Sequence, residues 1–180
     1  MVSEARAVPD PLDLGNALEW LPAPLLLVTA AHGDQRNVQV AVRGMQLNEH
    51  GPPSLVIGVG PKNFTYTLIA ASGEFGVNVP STRLAHVVDR GRQLAKARVH
   101  GDALDKFEAL GVRARPAQII RAPLLEDCTA NFECHVDRIV DVAADHALVV
   151  GTILRLERHP ALRPLVRFNR TSFPLIDPYE

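Results

Sequence analysis

Residues 54–81, SLVIGVGPKNFTYTLIAASGEFGVNVPS, read in order as strand, tight loop, helix and strand. Residues 54–59 are apolar and rich in β-branched side chains, and Gly60-Pro61 breaks the run. Lys62-Asn63 opens a helix with Leu68, Ile69 and Ala71 on its apolar side, and Gly73 suits the C′ position that ends it. Residues 75–79 return as a strand that stops at Pro80. The order places Asn63 and Thr65 at a helix start, where unpaired N–H groups and the positive end of the helix dipole attract an anion. A phosphate suits that place, with Lys62 adding charge. The plainer reading makes Asn63 a helix cap and nothing more.

A chain of 180 residues is long enough for one domain with a buried core, and the whole of it reads as such, with residues 1–11 polar and loose. With 47% apolar residues and a formal charge of −1, it has neither the composition of a disordered chain nor the charge of a nucleic-acid binder. The apolar run at residues 21–31 is interrupted by Pro22 and Pro24 and is too short to cross a bilayer. Acids and prolines stand at the N-terminus where a signal peptide needs a basic start and an apolar core, so a cytoplasmic protein without membrane contact is expected. Cys128 and Cys134 lie six apart in one apparent strand, roughly 20 Å at strand rise, too far to bridge.

Upstream of the central stretch, residues 12–20 suggest a short helix and residues 24–31 a strand. His32-Gly33-Asp34 supplies a turn. Residues 37–47 read as a second strand, with Val38, Val40 and Val42 on one face and Gln39, Ala41 and Arg43 on the other. With residues 54–59 these make three sequential strands on short connections, which predicts an antiparallel meander. Downstream, Ser81 caps a helix over 82–88, and the basic stretch 90–100 is less regular. A helix over 102–110 has Asp102 as its cap, Asp105 in its first turn and Gly111 at its end. Residues 128–143 and 146–156 form a strand pair about a turn at Ala144-Asp145. The alternation of Phe132, Cys134 and Val136 slips near Asp137-Arg138, predicting a bulge. Residues 163–173 supply a last strand. The fold class is mainly β with inserted helices, an antiparallel barrel or sandwich of at least six strands.

Several chemistries lack their residues. Gly58-Val59-Gly60 starts like a dinucleotide fingerprint, but position 63 is Asn and no alternating parallel βα pattern surrounds it. There is no G-x-S-x-G elbow. Neither C-x-x-C nor H-x-x-x-H occurs, so no dedicated metal site is expected. An anion-binding helix start beside apolar strands remains, a place for a phosphorylated planar cofactor that carries the hard chemistry itself.

Six segments together resemble the flavin reductase-like family, the FMN-binding split barrels that include flavoredoxins and the reductase components of two-component monooxygenases. They are PLLLVTAAHGDQRNVQVAVRGMQL, GPKNFTYTLIAASGEFGVNVPS, DALDKFEALGV, RAPLLEDCTANFECHV, DHALVVGTILRLE and RPLVRF, covering about residues 21–173. The resemblance implies a six-stranded antiparallel Greek-key split β-barrel, a homodimer, and a flavin near the dimer interface. It also implies FMN, or FAD, as cofactor, NAD(P)H as reductant, and a monooxygenase as one kind of partner.

Carried over residue by residue, the resemblance implies a flavin site at Gln39, Val40, Ala41, Val42, Arg43, Lys62, Asn63, Thr65 and Asn78. The family's second strand commonly reads Asn-Ala-x-Thr-x-Ser-Trp; here Val40 and Val42 stand in place of the hydroxyl residues and Arg43 in place of the Trp. Backbone N–H groups of that strand remain for the flavin ring. The family's Arg-Tyr-Thr phosphate loop is here Asn63-Phe64-Thr65, with Lys62 supplying charge. Asp145-His146 before an apolar strand resembles the reductase pattern in which a histidine lies near flavin or nicotinamide, and His146 is the expected catalytic residue. The plainer reading of His146 is a turn histidine that starts a strand. Arg90, Arg92, Lys96 and Arg98 offer charge to a nicotinamide nucleotide's phosphates, or form a solvated face. Three functions follow: an FMN-dependent oxidoreductase passing hydride from NAD(P)H to flavin, an FMN-binding electron carrier or sensor, or a flavin-free barrel for another planar or phosphorylated ligand.

Overall fold

A computed structural model describes residues 20–48, 50–96, 105–142, 145–169 and 171–174. Its strands are β1 (Ala23–Pro24), β2 (Leu26–His32), β3 (Gln35–Ala41), β4 (Gly44–Gln46), β5 (Ser54–Val59), β6 (Glu74–Pro80), β7 (Ala114–Arg115), β8 (Leu124–Leu125), β9 (Cys128–Asp141), β10 (Ala147–Arg158), β11 (Leu165–Phe168) and β12 (Thr171–Pro174). The helices are α1 (Phe64–Ser72), α2 (Ala85–Lys96) and α3 (Lys106–Leu110). None of them is long and apolar enough to cross a membrane.

Seven strands form one antiparallel sheet in the order β3-β2-β6-β9-β10-β5-β4. Its two edges, β3 and β4, are joined through Val42 and Arg43 alone, so the sheet is curled into a half-barrel. The expected three-strand meander forms with a broken middle strand. β2 and β3 make a hairpin, β4 pairs antiparallel with β5, and β5 pairs with β10 on its other side. The expected strand over 37–47 is interrupted after Ala41. Gly44 sits so close to β2 that a Cβ there would stand 2.5 Å from Leu26 Cδ1, and the chain leaves β2 to run along β5 instead. The sheet therefore has seven strands, where the resemblance implied six.

The inner face of the curl is filled by Leu26, Val28, Ile57, Ile69, Phe75 and Val149. Side chains of this size contribute about 1.5–3 kcal/mol each when fully buried. On the outer face Leu27 and Val38 pack against Val87 of α2 and Phe107 and Leu110 of α3. The predicted bulge is present: Val150 pairs with Arg138 and Gly151 with Val136, leaving Asp137 without a partner position.

Helix α1 follows its sequence signals. Asn63 takes extended backbone angles, and Gly73 adopts the left-handed conformation (φ 71°), its N–H donating to Ile69 O at 2.8 Å. The others differ from expectation. Ser81 Oγ accepts from Arg83 N–H and starts a 3-10 turn (Thr82–Leu84), after which α2 runs to Lys96, through part of the basic stretch expected to be irregular. Helix α3 starts later than expected. Asp102 lies outside the described residues, and Asp105 is the cap, its carboxylate accepting from Phe107 N–H at 2.9 Å. The final expected strand is a hairpin, β11–β12, that pairs with β1 in a second small sheet. Of the expected helix over 12–20, only Trp20 is described; its ring meets Phe168 edge-on.

Candidate functional site

Strand β3 is an edge strand, and its two faces serve different ends. Asn37, Gln39 and Ala41 face α1 and the inside of the curl. Asn37 Nδ2 donates to Thr65 Oγ1 at 2.8 Å, both groups buried, which fixes the first turn of α1 on β3. One turn back, Asn63 Nδ2 lies 3.4 Å from Gln39 Oε1, a long contact. Asn63 is the N-cap residue by position, yet its side chain makes no capping hydrogen bond. The first N–H groups of α1 are thus left without a side-chain cap, and exposed Lys62 stands just before them.

A second group meets this one at residues 58–60. Gly58 N–H donates to Arg43 O at 2.9 Å, and a Cβ on Gly58 would stand 2.9 Å from Arg43 Cβ and 3.1 Å from Arg43 Cδ. A Cβ on Gly60 would stand 3.2 Å from both Asn63 Nδ2 and Asp145 O. The two glycines let the Arg43 arm, the Asn63 amide and the start of β10 close on one turn. His146 Nδ1 lies 3.0 Å from Asp145 Oδ1. The His146 hydrogen bond, followed by the charges of His146 and Arg43, holds the exposed Asp145 carboxyl below the usual range.

Gln39, Arg43, Lys62, Asn63 and His146 are therefore brought to one corner. The other expected site residues lie elsewhere. Ala41 is in the core, and the Thr65 side chain is fully buried, so only its backbone faces the helix start. Val40 faces α2, where a Cβ at Gly91 would collide with it, and Val42 packs on Leu25, Val88 and Leu165. Asn78 is wholly inside: its Nδ2 donates to Leu27 O (2.9 Å) and Thr29 Oγ1 (3.3 Å), and its Oδ1 accepts from Leu125 N–H (2.9 Å) and Asn131 Nδ2 (2.7 Å). Every hydrogen-bonding position of that amide is taken from within the chain. Of the basic run, Arg90 is exposed and Arg98 lies outside the described residues.

Three polar residues escaped the sequence reading. Asp145 entered it only as the neighbour of His146. Glu133, 1% exposed, accepts N–H bonds from Gln118, Ile119 and Ile120 at 2.6–3.2 Å, with Arg155 Nε 3.6 Å away. Glu74 accepts from Arg121 N–H at 2.9 Å, so four successive backbone donors are tied to two strand carboxylates. Burial pushes the Cys128 and Cys134 thiols up to about 12, which leaves neither as a thiolate near neutral pH.

A family model, the flavin reductase like domain, matches residues 18–175. The chain belongs to this family. An uncharacterised protein of Archaeoglobus fulgidus is 29% identical over 148 residues, 82% of this chain and 80% of that one. The NADH-dependent FMN reductase RutF of an Enterobacter strain is 39% identical over 56 residues, 31% of this chain and 34% of its own. The solved structure of BorF, the flavin reductase component of a bacterial two-component tryptophan halogenase, superposes with a TM-score of 0.77 at 25% identity, covering 93% of this chain and 99% of that one. These likenesses make a flavin-type oxidoreductase the family setting of the corner described above.

Proposed function

We propose that this flavin reductase-like chain binds FMN at the corner of β3 and α1 and reduces it with NAD(P)H. The observation that carries the reading is the start of α1: an uncapped set of backbone donors with Lys62 beside it, opening next to the free edge of β3. The residues suit FMN. A phosphate dianion finds N–H donors, the helix dipole and an ammonium there, and the Asp145 carboxylate at the same turn is engaged by His146. Along the edge strand, backbone groups not used by β2 can meet the polar rim of a flavin ring, which answers the loss of hydroxyls at positions 40 and 42.

The hydride chemistry, from nicotinamide C4 to flavin N5, belongs to the two bound molecules. The chain's part is to hold them. Lys62 and the first turn of α1 bind the phosphate, Gln39 and Asn63 present amides between phosphate and ring, and His146 stands where a nicotinamide would arrive over that corner. FAD in place of FMN, a dimer with the flavin between subunits, and a monooxygenase as recipient of reduced flavin are further parts of this proposal, supported by the family and by BorF's pairing with a halogenase.

The test is a visible absorption spectrum of the purified protein before and after FMN addition, followed by NADH and NADPH oxidation under air. The reading expects a perturbed flavin spectrum and FMN-dependent nicotinamide oxidation. An unperturbed spectrum with no oxidation would refute it; binding without oxidation would leave a carrier.

A further inference from the structure

Thr65 belongs to the first turn of α1, yet its side chain is tied to a different element, the edge strand β3. We propose that Asn37 is a positioning residue for phosphate recognition. It does not meet the ligand; its hydrogen bond to Thr65 sets the free N–H groups of the turn at a fixed place relative to the edge of β3. The inference rests on the proposed function for what those N–H groups hold.

The hydrogen bonds of the turn identify its free donors. Asn63 N–H donates to Gly60 O at 2.9 Å, and the N–H groups of Tyr66 and Thr67 both donate to Asn63 O, at 3.0 and 3.3 Å. Phe64 N–H and Thr65 N–H have no acceptor among the described residues, and the Asn63 side chain does not cap them. These adjacent groups are what the turn offers an anion. Their place is set from the opposite side of the chain. Thr65, Leu68 and Ile69 form the buried stripe of α1, and only Thr65 of these lies in the first turn, where Lys62, Asn63 and Phe64 are exposed. Thr65 Oγ1 accepts from Asn37 Nδ2 at 2.8 Å, the two residues being 0% and 3% exposed. Asn37 is itself fixed, because it pairs with Ala30 of β2 within the seven-strand sheet. The exposed Asn63–Gln39 contact, at 3.4 Å, is too long to do the same.

A hydrogen bond weakens steeply off its line, so it fixes an angle as well as a distance. Apolar packing is non-directional and would let the turn slide along β3. The same strand presents its free edge to the flavin ring, so both ends of the ligand are referred to one element of the sheet. The separation between phosphate donors and ring seat then becomes a property of β3. Asn37 therefore acts on selectivity for a flavin that ends in phosphate, and leaves affinity for the ring alone unchanged.

Three variants of the full chain test this. Thr65→Ser keeps the hydroxyl, and Thr65→Val removes the acceptor with little change of shape. Because Thr65→Val strands the buried Asn37 amide, the double variant Asn37→Leu/Thr65→Val is made as well; with both partners apolar, its melting temperature should stay near that of the wild type. Paired titrations with FMN and riboflavin should show FMN about tenfold weaker in the double variant, riboflavin unchanged, and wild-type affinities in Thr65→Ser. The ³¹P signal of bound FMN should move toward that of free FMN in the double variant and not in Thr65→Ser. FMN affinity that returns with stability in the double variant overturns the proposal, since packing would then suffice. Equal weakening of FMN and riboflavin overturns it too. Inorganic phosphate, followed in ¹H–¹⁵N spectra, separates this inference from the flavin reading. In a protein that binds no FMN, phosphate-induced shifts of the Phe64 and Thr65 amides that vanish in the double variant would refute the flavin reading and support the role of Asn37. No such shifts in the wild type, with either FMN or phosphate, would overturn both.

Discussion

Two asparagines on two parts of the sheet show what separates a structural polar group from a functional one. Asn78, on β6, is buried and spends its whole amide on β2, β8 and β9. Asn63, before α1, is exposed, makes only the long contact to Gln39, and does not cap its helix. A buried amide without partners costs about 1–3 kcal/mol per lost bond, so interior polar residues are matched by the fold itself. An exposed donor set can stay unmatched because water serves it until a ligand does. The contrast extends to whole regions. In the β6–β9 interior the Asn78 amide is fully matched and Glu133 accepts three backbone N–H groups, although Asn131 Oδ1 has no partner, whereas the β3–α1 corner holds side chains with capacity to spare.

The sharpest way to break this contrast is Asn78→Ala. It strands Leu125 N–H, Leu27 O and one Asn131 donor together, and should lower unfolding stability by about 3–5 kcal/mol in a denaturant titration. FMN affinity of the remaining folded protein should not change. A loss of FMN affinity without a loss of stability would place Asn78 with the corner after all.

Next comes Glu133→Gln. The substituted amide still fits but cannot accept four contacts as an anion does, and the nearby Arg155 loses its counter-charge. A stability loss of about 2–3 kcal/mol is expected, with earlier proteolysis in residues 116–122. Unchanged stability would mean that the loop is held by its own packing.

A smaller effect separates the faces of β3. Val40→Thr places a hydroxyl against Gly91 on the α2 side. It should cost about 1 kcal/mol of stability and leave FMN affinity within about twofold. Tighter FMN binding in this variant would show that the ring reaches the valine face.

The smallest effect belongs to the structural side of the comparison and is read against pH. Asp127, at the turn between β8 and β9, has a left-handed backbone (φ 56°) and accepts from Arg83 and Arg113 at 3.0 and 3.3 Å. Chiefly the Arg83 hydrogen bond, with the charges of both arginines, lowers its carboxyl below the usual value. Its stabilisation is therefore present above the unfolded carboxyl's value of about 3.9 and is lost as pH falls through the lower folded value. The pairs are largely exposed on the arginine side, so the contribution is under about 1 kcal/mol. Asp127→Asn keeps the turn and should flatten melting temperature against pH in that acid window only. An equal shift at every pH would point to the turn itself.

The strands were legible because alternation is local: β5, β6, β9 and β10 lie where their apolar periods put them, and Asp137 is bulged where the period slips. Pairing was less legible. The second strand is interrupted after Ala41, near Gly44, where a side chain would meet Leu26, and β5 finds its second partner about ninety residues downstream, neither of which a local pattern encodes. The same holds for the site. Lys62 and Asn63 could be read from a helix start, a property of adjacent residues. That the Arg43 side chain lies against Gly58, or that four partners from three strands converge on Asn78, follows only from the folded chain.

The central claim is that the uncapped start of α1, with Lys62, holds a phosphate. Paired titrations of FMN and riboflavin into the wild type and Lys62→Ala test it most directly, because the two ligands differ only in that group. Lys62 is exposed, so the substitution should leave folding intact. Loss of one charge-assisted contact, worth about 1.5–3 kcal/mol, predicts ten- to a hundredfold weaker FMN binding with riboflavin unchanged. Equal weakening for both ligands, or FMN binding no tighter than riboflavin in the wild type, would contradict the claim.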